Sequence, residues 1–126
     1  MDHPLTFTPE RLDAFVVVRD LVAAIAPLVR RLPRGEAAIG DQLRRAGDSV
    51  LLNTCEGAGR RAGADKAHYF DMARGSATEC GGALTIFAAR QLAPTDAIAT
   101  ARSLAHRAAC LLTALARSAR KRSGTG

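Results

Sequence analysis

Apolar residues return at three- and four-residue intervals through four stretches of this chain, which is the spacing of one helix face. In the first stretch the stripe is Leu12, Phe15, Val22, Ile25, Val29 and Leu32, and it predicts a helix over residues 9–31. Thr8 is placed to cap that helix, Pro9 suits its first position, and Glu10 favours the positive end of the dipole. Phe7 and Leu12 have the spacing of a hydrophobic staple. Pro27 offers no donor to the helical ladder, so a kink or an early end is expected there. Pro33 and Gly35 make the first break.

The second stripe, Ile39, Leu43, Ala46, Val50 and Asn53, predicts a helix over residues 36–56. Gly57, Ala58, Gly59 and Gly63 then surround Arg60 and Arg61 in an expected loop, because glycine accepts the left-handed backbone that ends helices. The third stripe is Phe70, Ala73, Ala77, Cys80, Leu84 and Phe87, on a helix over residues 65–91. Gly75, Gly81 and Gly82 cost about 1 kcal/mol each there relative to alanine, which points to a neighbouring helix coming close, or to a kink. After Pro94, Thr95 and Asp96 open a fourth helix with the stripe Ile98, Ala101, Ala105, Ala108, Leu112 and Leu115. From about residue 119 onward, Ser, Gly and Thr among cations read as a disordered basic tail.

Strand-like alternation is missing throughout. The expectation is one all-α domain over residues 1–126, an antiparallel up-down-up-down four-helix bundle. Its helices would be about 20–27 residues each, or ~30–40 Å long, and short loops favour antiparallel neighbours. That topology puts the helix 2–3 loop, both termini and the end of helix 4 at one pole. Arg60, Arg61 and Lys66 would then lie near Arg117, Arg120, Lys121 and Arg122.

The net charge is +6, from 18 basic and 12 acidic residues. Up to position 116 there are 14 basic and 12 acidic residues, so the body carries only +2 and the excess sits at the C-terminal end. Such an end suits polyanions, whose counterions it displaces. Sixteen of the basic residues are Arg, whose planar fork matches phosphate. Arg44 and Arg45 extend the cationic set, and few aromatics are present for base stacking, so sequence-independent phosphate contact with RNA or DNA is expected. The three cysteines are widely spaced and form no framework, which fits reduced thiols in a cytoplasmic protein. The longest apolar stretch, residues 14–29, is interrupted by Arg19 and Asp20, so no membrane span is expected.

Candidate chemistry is sparse. Asn53, Glu56, Arg74 and Glu79 fall close to the apolar faces of helices 2 and 3 and read as a structural polar network within or between subunits. A paired-carboxylate active site on Glu56 and Glu79 is the weaker reading, since no nucleophile or cofactor motif accompanies them. His106 and Cys110 are four residues apart on one helix, but two ligands do not close a zinc site. The Gly57-Ala58-Gly59 run follows a helix and lacks dinucleotide-binding spacing. No catalytic activity, metal or cofactor is expected.

The run from Gln42 to Glu79 resembles the bacterial four-helix-bundle proteins called the 23S rRNA intervening-sequence family. The resemblance rests on Gln42-Leu43-Arg44-Arg45-Ala46, on Asn53, Glu56 and Gly57, and on Ala73-Arg74-Gly75-Ser76 followed by Glu79. Thr54-Cys55 stands where members have Ile-Ala, and Leu51-Leu52 where many have a proline. The resemblance implies a four-helix bundle assembled as a homopentamer. One branch is the accessory variability determinant of diversity-generating retroelements, which implies nucleic acid and a reverse transcriptase as partners. The alternative reading is a structural scaffold that binds another protein and no nucleic acid.

Overall fold

Four helices make up the described chain: α1 (Pro9–Arg30), α2 (Ala37–Gly59), α3 (Ala64–Ala89) and α4 (Thr95–Thr125). The computed structural model describes the backbone of residues 9–125 and the side chains of residues 13–122. The proposed cap at Thr8, the Phe7–Leu12 staple and the side chain of Glu10 lie outside those residues. Each helix packs on its two neighbours, α1 on α2 and α4, and α3 on α2 and α4, which closes a four-helix bundle. Contacts run in opposite directions along adjacent helices. Ser49 meets Ser76 midway along α2 and α3, Gly57 faces Phe70 at one end, and Glu36 pairs with Arg90 at the other. Arg120 near the end of α4 pairs with Asp71 near the start of α3. The bundle is therefore antiparallel and up-down-up-down.

The α3 and α4 stripes are buried as the periodicity predicts, and Ala116 and Ala119 extend the α4 stripe by another turn. The end of α4 is where expectation fails. The chain continues as helix to Thr125 because Ala119 is only 3% exposed against the core and Arg120 is tied to Asp71. No disordered segment begins at residue 119.

Helix α1 buries a face that shares Ile25 with the expected stripe but otherwise differs from it. Ala14, Val17, Val18, Leu21, Ile25 and Leu28 are buried, whereas Phe15, Val22, Val29 and Leu32 are half-buried. The residues from Phe15 to Val18 are apolar on every side, so two stripes satisfy the spacing and packing selects the second. Pro27 does not end the helix. Its missing N–H would have served the carbonyl of Ala23, an exposed residue that water reaches, and buried Ile25 and Leu28 hold the turns on either side.

The expected glycine loop is also mostly helix. Gly57 is buried in α2 because a Cβ there would lie 2.7 Å from the Phe70 ring, so only glycine lets the helices meet. The chain turns at Gly63, with φ +129°, directly before α3. At the far end, Gln91 takes φ +54° and the Leu92 N–H donates to the Phe87 carbonyl at 2.9 Å, the closing bond of a left-handed helix stop. Gly75, Gly81 and Gly82 have open space where a side chain would stand. No helix of this chain comes close to them, so the expected close approach is not made within the chain.

Cys80 is fully buried, and burial, reinforced by the Glu79 carboxylate, pushes its thiol from 9.0 up to about 12. The folded state therefore keeps a proton that the unfolded state gives up above pH 9. Stability from this group is complete below about pH 9 and is lost as the pH rises from there through about 12. Two of the three cysteines, Cys55 and Cys110, are exposed. A thiol reagent should label two sites rapidly in the folded chain and the third only on unfolding. Rapid labelling of all three would show that the core opens around Cys80. In urea titrations above pH 9, Cys80→Ala should show a shallower loss of stability with pH than the parent chain.

Candidate nucleic-acid interface

The α2–α3 corner and the end of α4 share one pole, as the Asp71–Arg120 pair establishes. The start of α1 lies there too, because antiparallel packing on α2 puts Asp13 level with the end of α2. Among the described residues, the pole holds seven cations (Arg60, Arg61, Lys66, Arg117, Arg120, Lys121 and Arg122) against four carboxylates (Asp13, Glu56, Asp65 and Asp71). The predicted convergence is present, but its members differ in what they can do.

Arg60 is half-exposed and already engaged. Its guanidinium reaches Asp65 at 3.0 Å, Glu56 at 3.4 Å and the Tyr69 hydroxyl at 3.1 Å, and its Cζ lies 4.7 Å from the Tyr69 ring centroid. Tyr69 and Asp65 raise its already high pKa, so it is a permanent cation. Arg120 is held by Asp71. Arg61, Arg117 and Lys121 are exposed, with no carboxylate within salt-bridge reach among the described residues, and Arg122 is exposed beside them. Arg61, Arg117 and Lys121 thus present their charge to solvent.

Lys66 corrects the expectation. It is 3% exposed, and its Nζ donates to the backbone carbonyls of Arg60 at 2.6 Å and Ala58 at 3.2 Å. The ammonium lies 5.7 Å from the Phe70 ring centroid. It satisfies carbonyls that the end of α2 leaves without helical donors, so it cannot present its charge to a phosphate. Arg44 and Arg45 are exposed midway along α2, ~22–24 Å of helix rise from Arg60, and are not part of the pole. Arg44 sits 3.8 Å from both Asp41 and Asp48, while Arg45 borders a shallow polar groove with Asp41, Gln42 and Glu79.

The four-residue polar network does not form within the chain. Asn53 is half-buried, and its Nδ2 donates to the Ser49 carbonyl at 3.0 Å and to Ser49 Oγ at 3.1 Å. Ser49 Oγ is 2.8 Å from Ser76 Oγ, and this pair links α2 and α3 side chain to side chain midway along the bundle. Glu56, Arg74 and Glu79 face solvent one position off the buried stripe. Letters near an apolar face were enough to suggest the network, but not to say which way the side chains turn.

Sequence reasoning missed a second basic group. Arg30, Arg31 and Arg34 lie exposed around the α1–α2 turn at the opposite pole, and Arg90 pairs with Glu36 beside them at 3.0 Å. The signal lies in the Arg30-Arg31-Leu32-Pro33-Arg34 run, where three arginines flank the Pro33 break. No cluster of three or more metal-ligating side chains occurs among the described residues, and no described helix is long and apolar enough to cross a membrane.

Residues 10–114, which take in parts or all of the four helices, match the family described as 23S rRNA-intervening sequence protein. No individual curated protein matches the chain. This is a family of small helical proteins and not a known enzyme class. The match over most of the chain, on an antiparallel four-helix bundle, places the protein in the 23S rRNA-intervening sequence protein family.

Proposed function

We propose that the protein is a non-catalytic accessory of structured RNA, ribosomal RNA first among candidates, that works as a homo-oligomer and grips phosphate through its basic pole. The observation that carries the reading is the cluster of Arg61, Arg117 and Lys121 at one end of the bundle, without carboxylates to neutralise them among the described residues. The family's description supplies the link to ribosomal RNA. Duplex DNA would meet the same cations, because phosphate contacts carry no base information. Self-association, with a pentamer as the expected count, is supported by Leu52 at 66% exposure, by the half-buried apolar outer side of α1, and by the open glycine face of α3.

The test is RNA and duplex DNA mobility at low and moderate salt. If about four phosphates are engaged, affinity should fall ~50–150-fold between about 50 and 200 mM salt. Replacing Arg61, Arg117 and Lys121 together with Gln should remove most of that slope. Substitution is the right tool, because a truncation before residue 117 would also delete Ala119 from the core. Replacing Arg30, Arg31 and Arg34 with Gln is the control and should change the slope less. A flat salt response, or equal losses in both variants, would overturn the assignment of this pole.

A second reading is a scaffold for another protein, a reverse transcriptase or other polymerase being the expected kind. The exposed Leu52 and the neutralised Arg44, Arg60 and Arg120 favour it. Under that reading, neither variant changes capture of the protein partner, and RNA does not bind at low salt.

A further inference from the structure

His106 and Cys110 stand one helical turn apart on the outer side of α4, both exposed. Cys110 Sγ and His106 Nε2 are 3.7 Å apart. A zinc-class ion holds sulfur at about 2.3 Å and imidazole nitrogen at about 2.0–2.1 Å. Two such bonds at a near-tetrahedral angle of roughly 110–115° set their donors ~3.5–3.7 Å apart. The two atoms share a hydrogen bond, and their separation is also one that such an ion would span.

We propose that His106 and Cys110 form an open two-donor site on α4 for a zinc-class divalent cation. The helix makes the site rigid. Ala105, Ala108 and Leu112 are buried on the opposite side, so α4 is pinned by the core while both donors face water. No interhelical contact has to break for the ion to enter. On binding, the Cys110 thiol releases its proton to solvent and coordinates as thiolate, and the imidazole coordinates through Nε2 with its proton on Nδ1. Two of the aqua ion's waters leave, and water keeps the remaining positions. Among the described residues no third donor joins the pair, so the site is open and not the closed kind that holds a fold together.

Titration of the reduced full-length chain with cobalt(II) tests this. A thiolate-to-cobalt charge-transfer band should grow to saturation at no more than one ion per chain and bleach when zinc is added. Cys110→Ser should abolish the band, His106→Ala should raise the half-saturating cobalt concentration several-fold, and Cys55→Ser should leave it unchanged. All three positions are exposed, so the variants should keep the parent circular dichroism. No band in the parent chain, a band that survives Cys110→Ser, or an unaltered half-saturation in His106→Ala would each overturn the site.

Discussion

Phe70→Ala should lower the stability of the folded chain by about 3–5 kcal/mol, roughly a fifth or more of what a domain of this size ordinarily has. The ring is 1% exposed and fills the junction between the last turn of α2 and the first turns of α3. Above it lies Gly57, where even a methyl group would stand 2.7 Å from Cε1 and 2.8 Å from Cδ1. Beside it lies the Lys66 ammonium, whose contact with the ring face adds an electrostatic share to the packing. Deleting the ring leaves a cavity that neither the glycine nor the anchored lysine can fill. Urea unfolding should show the midpoint falling with little change in slope. A loss under about 1 kcal/mol would mean that the corner collapses freely. The same geometry predicts coupling: Gly57→Ala should destabilise the parent chain, and less so in a Phe70→Leu background, where the smaller side chain gives way.

The corner also marks how far the sequence could be read. The α3 and α4 stripes were legible because charged and polar residues occupy the outer faces and leave one apolar register. In α1 the register was ambiguous, since Phe15, Val16, Val17 and Val18 are apolar in succession and only contact with α2 and α4 selects Val17 and Val18 for the core. Gly57 and Gly59 resembled a loop because glycine disfavours helix in isolation, yet Gly57 is helical because Phe70 needs its space. Topology alone correctly joined Arg60 and Arg61 to Arg117 and Lys121. It could not separate cations that face water from those already held by Asp65, Asp71 or backbone carbonyls, since that depends on side-chain direction.

Lys66 is the residue at which that distinction has the largest consequence. Lys66→Met should cost about 2–3 kcal/mol, the scale of losing hydrogen bonds made by a charged donor. Methionine keeps an apolar stem of similar length in the 3%-exposed slot, so the loss isolates the ammonium. Without it, the Ala58 and Arg60 carbonyls lose a donor at 3.2 Å and 2.6 Å, and the α2–α3 turn should fray. Hydrogen exchange at the last turn of α2 and the first turn of α3 should accelerate more than at the Glu36–Arg90 end. A phosphate-binding lysine behaves in the opposite way: removing it leaves stability almost unchanged and reduces the salt slope of nucleic-acid binding by about 1. Here the slope should stay at the parent value under conditions where the variant is folded, while the unfolding midpoint falls. An unchanged midpoint with a reduced slope would put Lys66 back among the cations that face the ligand. The two readings separate on one protein, because a buried ammonium can serve the end of the preceding helix, α2, or an external phosphate, but not both.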